Sequence, residues 1–142
     1  MPSEPIWLTD SQVIRINGRL VEKTGEPHFL RDPGLLSSAM ARPINRWAYG
    51  DEDIVSLAGS LLLGIGRNHP YEQGNKRTAM SASTIFLMFN GYTFTAPDGD
   101  KLGMFVERSL TGAISEGLFM DTMRKCTIST EEWEALQPTT GA

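Results

Sequence analysis

The stretch that decides the fold is residues 68–79, Asn-His-Pro-Tyr-Glu-Gln-Gly-Asn-Lys-Arg-Thr-Ala. It is short and polar, and it separates two strongly apolar segments, residues 54–65 and 79–89. Apolar residues cover most faces of a helix in each segment, a pattern typical of helices that neighbours bury. The sequence therefore predicts two central helices with a polar loop held at one end of the core.

Capping and stop signals predict further helices around this pair. Thr9 forms a capping box with Gln12, and Pro43 is expected to end the second helix. Residues 25–34 are predicted to form an ordered loop or short hairpin, either with a turn at Asp32-Pro33-Gly34 or with Asp32 as the next N-cap. Residues 92–95 alternate too briefly to establish a strand. The expected helices are about 9–23, 34–42, 51–68, 74–90, 100–110, 118–126 and 129–136.

The composition of the chain argues against several classes of function. The 142 residues are expected to form one all-α domain, 1–142, and a net charge of −4 argues against a broad nucleic-acid-binding face. No apolar run approaches a membrane span, and no signal peptide is visible at the N-terminus. The only cysteine, Cys126, cannot form an internal disulfide, which favours a reducing compartment. A cytoplasmic protein without direct nucleic-acid or membrane contact is expected.

The central loop has the chemistry of an anion site. Gly74 and Asn75 begin a helix, whose free N–H groups and positive dipole end attract anions. Arg77 can grip two phosphate oxygens, and Lys76 adds a point charge. His69 lies close enough in sequence to reach the same anion and take a proton from an attacking hydroxyl. This pattern predicts phosphoryl or nucleotidyl transfer, although each residue also has an ordinary role as turn former, solvated cation or structural histidine.

Residues 69–77, His-Pro-Tyr-Glu-Gln-Gly-Asn-Lys-Arg, resemble the signature loop of Fic/Doc proteins, roughly His-x-Phe-x-(Asp/Glu)-(Gly/Ala)-Asn-(Gly/Lys)-Arg. Lys76 after the asparagine, and Met80 where Fic adenylyltransferases have a second arginine, resemble the Doc (death-on-curing) toxin branch. The resemblance covers about residues 9–126 and implies a compact helical Fic fold. It is also carried by the stretches 31–36, 41–43, 48–49 and 89–92.

The resemblance implies a role for each motif residue. His69 matches the catalytic histidine that deprotonates a target hydroxyl, and Tyr71 matches the aromatic residue that anchors the loop. Residues 25–34 match the flap beside which the target segment lies, with His28, Phe29 and Leu30 as candidate contacts. For His28, an ordinary exposed loop histidine is the favoured interpretation, because its Glu-Pro setting is polar. The positions matching the phosphate-binding residues are Gly74, Asn75, Lys76 and Arg77.

Gln73 departs from the family pattern. The resemblance implies ATP as the substrate nucleotide and Mg²⁺ as its metal ion, held by an acidic residue at this position. An amide oxygen can ligate Mg²⁺, but a hard dication prefers carboxylate. The neighbouring Glu72 could substitute after a local rearrangement, or phosphate oxygens could hold the metal. Reduced or altered metal dependence is the favoured expectation.

The resemblance implies a toxin of a toxin–antitoxin system that transfers phosphate from a nucleoside triphosphate to a protein hydroxyl. It further implies translation elongation factor Tu as target and a separate antitoxin protein as partner. Thr130 and Glu134 formally match the family's inhibitory Ser/Thr-x-x-x-Glu motif but are better explained by helix capping. Two alternatives stay open: adenylylation (AMP transfer) from the same pocket, and a catalytically weak binding module that Gln73 has deprived of its metal.

Overall fold

A computed structural model describes residues 3–138 of the chain and confirms the all-α class. Those residues form seven helices and one small two-stranded sheet. No helix among them is both long and apolar enough to cross a bilayer. The elements in chain order are α1 (Asp10–Thr24), α2 (Pro33–Ala48), α3 (Ile54–Asn68), α4 (Asn75–Phe89), β1 (Tyr92–Phe94), α5 (Asp100–Thr111), α6 (Glu116–Lys125), β2 (Thr127–Ser129) and α7 (Thr130–Leu136).

The helix α3 is the centre of the core. Every residue from Val55 to Gly66 is buried, because α2 and α4 pack on α3 along its length and α5 and α6 contact its remaining faces. An element enclosed in this way can be apolar all round without exposing apolar surface to water. The prediction of a buried helix before the polar loop is therefore confirmed.

The second central helix, α4, is less enclosed than its sequence suggested. Its buried residues, which include Ala79, Ala82 and Phe86, follow one face of the helix. Met88 and Phe89, at the end of α4, are 63% and 42% exposed. The expectation that α4 is buried on most faces is wrong at this end, since no described element covers it there.

Pro43 does not end the second helix. The helix α2 continues through it to Ala48, and Pro43 is buried within the helix. A proline in a helix interior removes one backbone hydrogen bond and costs about 3 kcal/mol. Close packing of α2 on α3 outweighs this local cost, an effect that propensity alone does not predict.

The third helix begins at Ile54, three residues after the predicted start at 51, and Asp53 is its N-cap. The Asp53 carboxylate accepts a hydrogen bond from the backbone of Val55, at 3.0 Å. Asp51 instead accepts from the Ser56 hydroxyl at 2.6 Å and pairs with Arg46 at 3.1 Å. Burial alone would raise the pKa of Asp51, but these bonds and one from the Asp53 N–H outweigh it and lower that pKa.

The segment after α4 forms a strand. Tyr92–Phe94 pairs antiparallel with Thr127–Ser129, with Thr93 opposite Ile128. The partner strand β2 lies between the last two helices, where the sequence predicted only a helix end and a helix start. Ser129 does cap α7 as expected, since its hydroxyl accepts from the backbone N–H of Glu132 at 3.1 Å.

Candidate active site

The polar loop connects the end of α3 to the start of α4 through two residues with left-handed backbone. His69 is the C-cap of α3, with φ 50° and ψ 55°, and it is the only non-glycine residue with positive φ among those described. Histidine tolerates this region better than most side chains. Gly74, with φ 79°, is the N-cap of α4. The two turns set the path of the four residues between them.

Asn75 holds the loop in shape. Its carboxamide accepts from the backbone N–H of Tyr71 at 2.9 Å and donates to the carbonyl of Tyr71 at 2.8 Å. These two bonds fix which end of the amide is the donor, and its nitrogen also lies 3.4 Å from Nδ1 of His69. Asn75 therefore lies within hydrogen-bonding reach of the imidazole and helps to orient the ring of His69.

Tyr71 anchors the loop in the core, as expected. Its side chain is fully buried, and its hydroxyl has no hydrogen-bond partner within residues 3–138. Burial, assisted by the negative charge of Asp10, raises the pKa of Tyr71 well above its usual value. The residue is therefore a neutral apolar anchor and not a proton donor at physiological pH.

The start of α4 presents unpaired donors. No side chain caps this helix, so its first-turn N–H groups keep the positive end of the dipole accessible. Lys76 and Arg77, which follow the cap, are exposed on the surface. In the structure each cation pairs with a carboxylate: Lys76 lies 3.3 Å from Glu107, and Arg77 contacts Glu26.

Asn17 is a site residue that sequence reasoning missed. Its fully buried amide donates to the Gln73 carbonyl at 2.9 Å and to the Thr78 hydroxyl at 3.0 Å. It thus ties α1 to both sides of the Gly74 turn. The available signal was its place between Val13 and Val21, because a polar residue on an apolar helix stripe implies a buried hydrogen-bond partner.

Gln73 and Glu72 do not form a metal site with other protein groups. Both are exposed, and each contributes a backbone group to the loop, the Gln73 carbonyl to Asn17 and the Glu72 N–H to Phe29. Within the described part of the chain, no three His, Cys, Asp or Glu residues cluster closely enough to hold a metal ion. The side chains here therefore do not fit a protein-held Mg²⁺ ion.

The flap is an ordered segment that pairs with the loop. Leu30 forms an isolated antiparallel bridge with Tyr71, and the backbone N–H of Asp32 donates to the Pro70 carbonyl at 3.0 Å. The side chain of Arg31 also donates to the carbonyl of His69 at 2.7 Å. Asp32 is the N-cap of α2, so the alternative of a separate Asp32-Pro33-Gly34 turn is wrong.

The three candidate flap contacts differ in position. Leu30 is half-buried at the bridge, whereas the Phe29 side chain is 54% exposed. The ring of His28 lies over α1, where its Cε1 is 3.0 Å from the place a Cβ on Gly18 would occupy. Phe29 is thus the apolar side chain most available to a partner, and Gly18 leaves room for the ring of His28.

A groove of about 1010 Å³ opens between α4 and α5. Lys76 and Arg77 line one end of it, and Met80, Phe94 and Leu102 contribute apolar walls. His69 is not among the residues that line this groove, whereas both cations are.

The chain is similar in sequence to known proteins that carry the name Doc. The chain is 29% identical over 125 residues to "Protein kinase doc" of Escherichia phage P1, a match covering 87% of this chain and 91% of that protein. It is 43% identical over 70 residues to "Toxin Doc" of Mycolicibacterium smegmatis, covering 47% of this chain and 53% of that protein. Residues 7–87, which include the whole loop, match the Fic/DOC family. The chain belongs to the Fic/DOC family.

Proposed function

We propose that this chain is a Doc-like toxin that transfers phosphate from ATP to a hydroxyl group of a protein. The observation that carries the proposal is the placement of His69 beside the uncapped start of α4, with Arg77 in the first turn. A base and an anion-binding helix end are the parts that phosphoryl transfer requires from a protein. The names of the two relatives, one a protein kinase and one a toxin, support the same activity.

The residues act by positioning and by stabilising charge. The target hydroxyl gives its proton to the imidazole ring of His69, and its oxygen forms a bond to the transferred phosphorus. The bond from that phosphorus to the leaving oxygen breaks. Arg77 and the first-turn N–H groups of α4 stabilise the negative charge on the phosphate oxygens, and Lys76 contributes once it leaves Glu107.

The flap is the segment to which the target is proposed to bind. Phe29 offers an exposed apolar side chain next to the bridge between Leu30 and Tyr71. An extended target segment lying beside this backbone would bring its hydroxyl to His69. Translation elongation factor Tu is the proposed target, and a separate antitoxin protein is the proposed partner that restrains the activity.

Metal use is proposed to be weak or altered. Mg²⁺ would neutralise phosphate charge, and Gln73 would offer it only an amide oxygen. A carboxylate at this position should therefore increase metal-dependent turnover. Gln73→Asp adds this carboxylate. Gln73→Asn is the control, because it shortens the side chain equally without adding charge.

Two assays test the proposal: growth after induced expression, and transfer from ATP to purified elongation factor Tu measured by mass spectrometry. His69→Ala should abolish growth arrest and the mass gain of one phosphate, whereas Lys125→Ala, at an exposed residue of α6 outside the loop and the flap, should retain both. A mass gain of one AMP would replace the kinase activity by adenylylation. Unchanged growth and no transfer with the intact chain and both variants would favour a binding module.

A further inference from the structure

The guanidinium of Arg77 is already occupied by a carboxylate. It donates to Oε1 of Glu26, and its other terminal nitrogen lies 3.5 Å from the Thr24 hydroxyl. The Thr24 hydroxyl in turn donates to the same carboxylate oxygen of Glu26. A carboxylate offers a guanidinium the same paired oxygen acceptors as a phosphate does.

Glu26 is held in this position by its backbone. Gly25, with φ 75°, ends α1 in a left-handed turn, and its N–H donates to the Glu22 carbonyl at 3.3 Å. The N–H of Glu26 donates to the Val21 carbonyl at 3.0 Å. These two bonds form the Schellman motif that closes many helices. The carboxylate is therefore attached to a defined helix end and not to a loose loop.

The ion pair lies where the phosphate is proposed to bind. Arg77 turns back toward the start of its own helix, since its Nη2 is 3.6 Å from the place a Cβ on Gly74 would occupy. Hydrogen bonds from Thr24 and then from Arg77 lower the pKa of Glu26, so its carboxylate is charged at neutral pH. A phosphate that used Arg77 would meet this negative charge.

We propose that Glu26 is a built-in competitor of phosphate for Arg77, so that a polyphosphate binds only after the Arg77–Glu26 pair opens. The inference rests on the proposed function, in which Arg77 is a phosphate ligand. Opening the pair is feasible because both side chains are partly exposed, 41% for Arg77 and 31% for Glu26, and exposed pairs are weak. Glu26 thereby sets the threshold for anion binding without contacting the reacting hydroxyl.

The test is calorimetric titration of the full chain with inorganic triphosphate. Glu26→Gln keeps the side-chain shape and removes the charge, and should bind triphosphate about fivefold more tightly than the natural chain. Thr24→Val, which removes the second partner of the carboxylate, should give a smaller gain. Glu22→Gln is the matched control, since it removes an equal charge one helical turn away and should change binding by less than about twofold.

Arg77→Ala distinguishes the proposed phosphate site at Arg77 from the proposed competition by Glu26. Loss of triphosphate binding in this variant together with equal affinities for Glu26→Gln and Glu22→Gln would refute the competitor and keep the phosphate site. Unchanged binding in Arg77→Ala would refute the phosphate site of the proposed function, and the competitor with it. Thermal unfolding of each variant establishes that the measured affinities belong to folded protein.

Discussion

Replacing Gly74 by alanine would place a methyl group between the signature loop and α1. The new Cβ would lie 3.1 Å from Cγ1 of Val21 and 3.2 Å from Nδ2 of Asn17, both tighter than ordinary contacts. The backbone there also has φ 79°, where alanine costs about 1 kcal/mol more than glycine. Crowding in a packed region adds about 1–2 kcal/mol, so the expected total loss is about 2–3 kcal/mol.

Gly112 provides the control for this change. Its φ of 87° imposes the same backbone strain, but a Cβ there would meet nothing within 4 Å. Gly112→Ala should therefore cost about 1 kcal/mol, and the difference from Gly74→Ala measures the crowding alone. For a chain of this size, each kcal/mol lowers the Tm by about 3–4 °C.

Thermal unfolding followed by circular dichroism measures both variants. We expect a Tm decrease of about 6–12 °C for Gly74→Ala and about 3–4 °C for Gly112→Ala. Triphosphate binding should also fall in Gly74→Ala, because Asn17 must move and its bond to the Gln73 carbonyl positions the loop. Equal Tm values for the two variants would refute the close packing of the loop on α1 as the reason for glycine at 74.

Four further changes test other parts of the structure. Gly66→Ala should destabilise the protein by about 1–3 kcal/mol in denaturant unfolding, because the new Cβ would lie 2.5 Å from Leu110. Gly103→Ala is the control. It lies in an open helical position and should stabilise the protein by about 0.5–1 kcal/mol. Asn75→Ala should cost about 2 kcal/mol or more, since it leaves two buried backbone groups of the loop without partners. The pKa of Asp51 is lowered from its ordinary value of 3.8, so the ionised carboxylate stabilises the folded protein above that pH. This stabilisation is lost as the pH falls below 3.8. Asp51→Asn should therefore make the folding stability less dependent on pH in the acid range.

Local sequence signals predicted some of the helix ends. The capping box of Thr9 and Gln12 forms with both bonds, at 2.8 and 3.2 Å. Asp32 caps α2, and Gly25 ends α1 in a left-handed turn. These features depend on residues within a few positions of each other, which is why a single sequence reveals them.

The missed features depend on contacts between distant parts of the chain. Pro43 stays helical because α2 packs on α3, and β1 exists because a strand about 35 residues later pairs with it. Asn17 reaches a loop 56 residues away, and Glu26 reaches an arginine 51 residues away. The signature loop predicted the composition of the site, but these long-range partners determine how its residues are held and whether Arg77 is free.

The histidine and the flap are attached to the molecule in different ways. His69 is the C-cap of α3, which runs through the core, so the position of His69 depends on buried residues that tolerate little change. The flap is joined to the loop mainly through backbone groups, such as those linking Phe29 to Glu72 and Asp32 to Pro70. Backbone pairing places few demands on side chains, so flap residues can vary while the loop keeps its shape. Under the proposed function, substitutions in the flap should therefore change target binding and leave the position of His69 unaltered.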